Sequence, residues 1–410
     1  MSTALPARVL GPKHVALIST DYPPLRTSAA VQMHDLAVEM CKAGHSTVVI
    51  VPTVELLETW KTETVDGVVL LRIRAPKTRD INYVLRTLNE FSLPFLMLFR
   101  LRKTPFARVR WDVVAWYSPT IFFGPFVWYL KLISGCRTYL ILRDIFPEWT
   151  LDLGLMHKGL AYAFFKAIAR IQYSVADVIG VQTESNLAYL EAWRRHSAKR
   201  VEVLHNWQTP AQDTGATINV ASTPLGGRKI AVYIGNMGVA QGMDILVDLA
   251  ESLKCRKDFG FLFVGRGSEV SRLKEKVEFS GLTNILFFDE VDSREMPGIL
   301  SQCFIGLIAL DPRHKSHNIP GKFLTYIISG LPVLARVNQG TDLMRLINDE
   351  RVGKAFDSAL SQPLREFVEL LIDNPIEYEL MSKNGVNLAK RMFSSRNAVN
   401  QIIGSYASQR

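Results

Sequence analysis

The chain has 410 residues, nearly half of them hydrophobic, which suits two packed domains and excludes a disordered or fibrous polypeptide. Its four cysteines, Cys41, Cys136, Cys255 and Cys303, are far apart, with no C-x-x-C pair and no zinc spacing, so neither a disulfide scaffold nor a zinc module is indicated. The net charge of +9 is carried by the first half: residues 1–200 hold 25 Lys+Arg against 16 Asp+Glu, and the rest hold 23 of each. This asymmetry suits an anionic partner of the first half, with a merely solvated basic face as the plain alternative. No nucleic-acid-binding motif accompanies it, and an anionic lipid surface is the better match.

The opening residues are too polar for a secretory leader. "HVALIST", His14 to Thr20, reads as a buried strand. "STDYPPLRTSAA" then leads into an amphipathic helix with Val31, Leu36, Met40 and Cys41 near one face and Gly44 as its stop. Arg26, Thr27 and Ser28 stand at the start of that helix, where a phosphate is favoured. "HSTVVIVP" is the next strand. The apolar "FSLPFLMLF" runs directly into "RLRKTPFARVR", Arg100 to Arg110, a pattern suited to anionic headgroups. Val113 to Leu130 has no charge over 18 positions, yet Pro119, Gly124 and Pro125 interrupt it. It is read as a strand, a turn and a helix start rather than a membrane span.

Strands "TYLILRD", "ADVIGVQT" and "RVEVLHNW" follow. "LRDIFPEW" brings Arg143, Asp144 and Glu148 to a strand's carboxyl end, where carboxylates can orient a hydroxyl or take its proton. A salt-bridged loop is the plain alternative. Residues 208–227, rich in Thr, Ala, Gly and Pro, read as an interdomain linker. The alternation of strand and helix then restarts and continues, which implies parallel sheets with helical crossovers.

In the second half, "GNMGVAQG" follows the strand "RKIAVYI" and opens a helix. Gly235, Gly238 and Gly242 allow the backbone to approach a ligand closely, though an ordinary turn would look alike. The loop is neither G-x-G-x-x-G nor a P-loop. Arg266, between two glycines at the next strand's end, has the forked donors to hold a diphosphate, an exposed loop arginine being the plain alternative. In "HNIPGKFLTYIISGLPVL", Pro320 suits a first helical turn, with Asn318 or Ile319 near the cap. Lys322 lies in that first turn, where the helix dipole is already positive. A solvated lysine is one explanation, and an anion between the two is the other.

Taken together and in order, "TDYPPL", "LRDIFPE", "VLHNW", "YIGNMGVAQGMDIL", "FLFVGRGSE" and "IPGKFLTYIISGLPVL" resemble the family 4 glycosyltransferases, nearest the WbuB-like aminosugar transferases of O-antigen and capsule assembly. The resemblance implies an α/β GT-B fold with two Rossmann-like domains facing a cleft. The domains would be 1–210 on the acceptor side, a linker at 211–227, 228–385 for the nucleotide-sugar, and 386–410 as a helix crossing back to the first domain. It implies a retaining, metal-independent transferase using a UDP-linked donor, with no cofactor, and a polyprenyl-diphosphate-linked saccharide as acceptor. It places the protein in the cytoplasm, peripheral on the inner face of the plasma membrane. Gly235, Asn236, Gly238, Gln241 and Gly242 would form the donor loop, with Pro320 beside it; Lys322 and Arg266 would face the donor diphosphate, and Asp144 would orient the acceptor. Where the family places two glutamates eight positions apart, this chain has His317 and Thr325; where it places paired glycines in the first loop, this chain has Thr27-Ser28-Ala29-Ala30. A GT-B epimerase and a non-catalytic sugar-nucleotide-binding subunit are the alternative functions.

Overall fold

The structure is a computed structural model, and it describes residues 11–405 apart from 26, 153, 155, 198 and 313–317. The chain forms two compact units, residues 1–207 with 395–410 and residues 208–394.

The first unit is built on eight strands: β1 (His14–Ile18), β2 (Ser46–Thr53), β3 (Trp60–Val65), β4 (Val68–Arg74), β5 (Val113–Ser118), β6 (Arg137–Leu142), β7 (Val178–Val181) and β8 (Arg200–Val203). Their order is β3-β4-β2-β1-β5-β6-β7-β8, and only the β3–β4 pairing is antiparallel. Both faces of the sheet are covered, as near-continuous apolar strands require. In β1, Val15 and Leu17 pack with the helices Ser28–Lys42 and Ser395–Gly404, while Ala16 and Ile18 pack toward Tyr83–Leu101, Gly124–Ser134 and Leu160–Val175.

The second unit holds β9 (Lys229–Ile234), β10 (Phe259–Val264), β11 (Ile285–Phe288), β12 (Ile305–Ala309), β13 (Val333–Arg336) and β14 (Gly353–Phe356). They form an all-parallel sheet in the order β11-β10-β9-β12-β13-β14. Alternate residues again serve opposite cores: Ile230 and Val232 on one side, Ala231 and Tyr233 on the other. Each sheet reverses its winding once, between β1 and β5 in the first unit and between β9 and β12 in the second. Such switch points open a crevice at the strands' carboxyl ends.

Four local differences from the sequence reading have physical causes. The β3–β4 hairpin was not anticipated, although Asp66 and Gly67, both at positive φ, are the expected two-residue turn. In the helix Ser28–Lys42 the inward stripe is Met33, Leu36, Ala37 and Met40, a 3–4 spacing, and Val31 faces solvent. Residues 211–227 are not a free linker. Ile218 and Leu225 are buried, the Thr217 N–H donates to Glu295 at 2.8 Å and the Val220 N–H to Gln302 at 2.8 Å, strapping the segment to the second unit. The expected break at 386 falls inside the helix Pro375–Met392, and the chain passes to the first unit only at Ser395.

Candidate active site

In the second unit the crevice between β9 and β12 is flanked by the loop Gly235–Gly242 and by the helix Gly321–Ile328. The loop after β9 is tied to the loop after β10. The Met237 N–H donates to the Arg266 carbonyl at 2.7 Å, and the Glu269 N–H donates to the Met237 carbonyl at 3.0 Å. This approach is possible only because residues 265 and 267 lack side chains: a Cβ on Gly265 would lie 2.0 Å from the Gly235 oxygen, and one on Gly267 would lie 2.3 Å from the Met237 oxygen. Gln241 is a clasp inside its own loop. Its Oε1 accepts from the Gly238 N–H at 3.0 Å and from Asn236 Nδ2 at 3.2 Å. Gly242 closes the turn in the left-handed region, with the Asp311 N–H donating to the Ala240 carbonyl at 2.9 Å. Gly238 and Gln241 therefore shape the loop, while the Asn236 N–H has no partner among the described residues.

The helix Gly321–Ile328 forms because Phe323, Leu324, Tyr326 and Ile327 bury one face and Gly330, at positive φ, lets the chain turn into β13. Pro320 is its N-cap residue, one position earlier than the sequence suggests, and offers no side-chain cap. The Phe323 N–H donates back to the Pro320 carbonyl at 3.0 Å, and the Gly321 and Lys322 N–H groups have no partner among the described residues. Tyr326 anchors the helix to the sheet: its hydroxyl accepts from the Ile234 N–H at 3.0 Å, and its ring occupies the space beside Gly306.

Lys322 is the second residue of this helix. It is half-buried, its Nζ stands 3.7 Å from the centroid of the Tyr233 ring, and its Cε lies close to Gly235. Among the described residues the ammonium has neither an ion pair nor a hydrogen bond. Burial pushes its pKa down to about 7. A cation on a ring face at a positive helix end is an unbalanced charge, ready for an anion. Tyr233 was not anticipated as a site residue. It supports both partners, since its hydroxyl also donates to the Asn236 carbonyl at 2.7 Å. Its place two residues before the Gly235 turn was the available signal.

Arg266 is exposed and pairs with Glu290 at 3.2 Å, a surface contact weak enough to be exchanged for a ligand. Thr325 Oγ1 lies 3.2 Å from Gln208 Oε1 and 3.3 Å from the Gly321 carbonyl, so its one proton is shared between them. Arg336, also unanticipated, is buried at the end of β13. It donates to the Leu310 carbonyl at 2.7 Å and to Asn338 at 3.1 Å, fixing the chain that leads toward the helix. His317 and Arg26 lie outside the described residues.

In the first unit, Thr27 caps the helix Ser28–Lys42 by accepting from the Ala30 N–H at 3.2 Å, and Ser28 is its first residue. The Thr27 hydroxyl donates to the buried Asp21 at 2.7 Å, and Arg79 pairs with the same carboxylate. Asp144, after β6, is exposed at residue level; partial burial of its carboxyl raises its pKa and Arg143 draws it back. Glu148 pairs with Lys166 at 3.3 Å. Arg143 is turned inward: it is 5% exposed, donates to the Leu204 and His205 carbonyls at 2.8 and 3.2 Å, and faces the Trp207 ring. This guanidinium is a structural clamp rather than a phosphate ligand. Arg143→Ala is expected to cost about 2–4 kcal/mol, since it orphans buried carbonyls. Thermal melts would register that loss, while turnover of the remaining folded protein is expected to change little.

Among the described residues, no group of three His, Cys, Asp or Glu side chains is placed to hold a metal ion. No protein-family model matches the chain. Over 323 residues it is 25% identical to a Pseudomonas aeruginosa protein named as a probable glycosyltransferase, WbjE, covering 76% of this chain and 77% of that one. Over 251 residues it is 26% identical to an Escherichia coli K12 protein whose name is "Putative colanic acid biosynthesis glycosyl transferase WcaI", covering 58% and 61%. Its fold matches that of WaaG, a glycosyltransferase involved in lipopolysaccharide biosynthesis, with a TM-score of 0.63 over 95% of this chain and 100% of that one at 16% identity. Anabaena HepE in complex with UDP-glucose superposes with a TM-score of 0.65 over 96% and 99% at 15% identity.

Proposed function

We propose that this chain, a glycosyltransferase of the GT-B fold acting in polysaccharide biosynthesis, moves a sugar from a UDP-linked donor, an aminosugar among the candidates, to a polyprenyl-diphosphate-linked saccharide at an anionic membrane surface, with retention of anomeric configuration. The observation that carries this reading is Lys322, a cation with no counter-ion among the described residues, set at the β9/β12 switch point beside Gly235. The name of WcaI supports a role in polysaccharide assembly, and the UDP-glucose complex of a protein of like fold supports a uridine donor.

In this mechanism the Lys322 ammonium, the Gly321 and Lys322 N–H groups and the Asn236 N–H receive the donor diphosphate, with Arg266 exchanging Glu290 for it. The bond between the anomeric carbon and the phosphate oxygen breaks while the acceptor hydroxyl attacks from the same face. The acceptor's proton passes to the departing phosphate oxygen. Charge grows on that oxygen as the bond opens, and fixed donors aimed there lower the barrier. The reading requires no metal, because Lys322 and the N–H groups supply the positive charge. Asp144 is assigned the orienting of the acceptor hydroxyl.

Donor screening with UDP-sugars and a lipid-linked saccharide, followed by product NMR, tests the reading. Retained configuration and turnover that survives chelation are expected; an inverted product or strict dependence on a divalent ion overturns it. A second measurement isolates the cation. Burial lowers the Lys322 pKa to about 7, and a bound diphosphate favours the ammonium. Binding of a UDP-sugar, whose diphosphate has no group titrating in this range, should therefore take up close to one proton at about pH 8, falling toward zero below about pH 6, where the lysine is already charged. Calorimetry in buffers of differing ionisation enthalpy reads this directly, and Lys322→Met should abolish it.

A further inference from the structure

The helix Tyr83–Leu101 is apolar on two opposite faces. Leu93, Met97 and Leu101 lie in the core, as an amphipathic helix on a sheet should. Val84, Leu88, Phe91, Phe95 and Phe99 form a second stripe, at spacings of four, three, four and four, and all five are exposed, Leu88 at 60% and Phe99 at 61%. That stripe runs about 22 Å along the helix. The helix Gly124–Ser134 packs beside it and presents Trp128 and Leu132, one turn apart; the helix Leu160–Val175 packs beside that one and presents Leu160 and Phe164. One layer of the first unit thus shows water an apolar surface spread over three adjacent helices, far more than scattered exposed residues would give.

The charge around this surface selects what covers it. The three helices and residues 102–110 contain a single acid, Glu90, which is buried and satisfied by Arg86 and Thr120. Arg102, Lys103 and Arg108 are exposed at the carboxyl end of the long helix, with Lys103 lying over the Phe99 ring at 4.8 Å. Among the described residues no helix is long and apolar enough to cross a membrane. A second copy of so basic a face would meet it with like charge, whereas an anionic bilayer offers both hydrocarbon and phosphate.

We propose that the exposed stripe of Tyr83–Leu101, with Trp128 and Leu132, inserts into the interfacial layer of an anionic bilayer while Arg102, Lys103 and Arg108 engage lipid phosphates. This deepens the membrane partner of the proposed function by assigning the surface and the side chains. It does not depend on which donor or acceptor is used.

Co-flotation with vesicles of phosphatidylcholine, alone or mixed with phosphatidylglycerol and free of any saccharide lipid, is the test. The protein should float with the mixed vesicles and much less with the neutral ones. The triple substitution Phe91→Ser, Phe95→Ser and Phe99→Ser should lower binding to mixed vesicles at least about tenfold, with an unchanged melting temperature. Arg102→Glu with Lys103→Glu should also lower it and flatten its salt dependence. Brominated acyl chains should quench a component of the emission that Trp128→Phe removes. Equal flotation of wild type and triple variant overturns the proposal. A wild-type dimer that the triple substitution splits, with vesicle binding untouched, overturns it in favour of a second copy. Failed glycosyl transfer by a protein that still floats would count against the proposed reaction alone.

Discussion

Lys322→Ala is expected to reduce sugar transfer about 10²- to 10³-fold in kcat, equivalent to roughly 3–4 kcal/mol of barrier, with the fold intact. The effect belongs in kcat because charge on the leaving diphosphate grows as its bond opens, so a cation there favours the transition state over the bound donor. The fold should survive because alanine is the better helix former and the lost group is a poorly solvated ammonium. The pH dependence has a definite sign. The folded pKa of about 7 lies below the ordinary 10.5, so the burial penalty on the ammonium is full below about pH 7. Stability then gains as pH rises from about 7 toward 10.5, where the unfolded chain binds more protons than the folded one. Lys322→Ala should remove that slope. Single-turnover kinetics and melts across pH check both. Near-wild-type turnover in a folded variant would end the assigned role.

Gly265→Ala should destabilise the second unit by about 3 kcal/mol or more. The residue sits at φ +147°, and its Cβ would stand 2.0 Å from the Gly235 carbonyl oxygen. Positive φ alone costs an L-residue about 1–3 kcal/mol, and a backbone neighbour cannot rotate away as a side chain would. Relief would come only by parting the loops after β9 and β10, breaking the Met237–Arg266 and Glu269–Met237 bonds. Donor affinity should therefore fall along with the melting temperature. Gly281→Ala is a suitable control, since it shares a positive φ, at +60°, but its Cβ would meet no atom within 4 Å. Comparable melts for the two variants would show that the loops are not locked as described.

The alternation of strands and helices was legible because parallel strands buried on both faces leave short, unmistakable apolar runs such as "KIAVYI" and "FGFLFV". The glycine loops and Lys322 were legible for the same reason, being fixed to strand ends by local spacing. What stayed hidden depends on partners distant in sequence. "LRD" presents Arg143 as readily outward as inward, and only Leu204, His205 and Trp207, some 60 residues on, decide that it points in. Thr325 looks like a bare substitution until Gln208 is found beside it. The outward stripe of Tyr83–Leu101 was half legible: the apolar run and the basic cluster were evident, but which apolar residues the core would claim was not.

The second unit is entered and left at one place, for the Gln208 N–H donates to the Phe393 carbonyl at 2.9 Å. Only beyond it does the chain supply Val399, Ile402 and Ile403, which cover the helix Ser28–Lys42. During synthesis the first unit must therefore wait, one flank of its sheet uncovered, while the whole of the second unit emerges and folds. Nascent chains stalled before residue 395 has emerged should bind chaperones through that flank, and those carrying an added linker that brings residues 395–405 clear of the ribosome should let go.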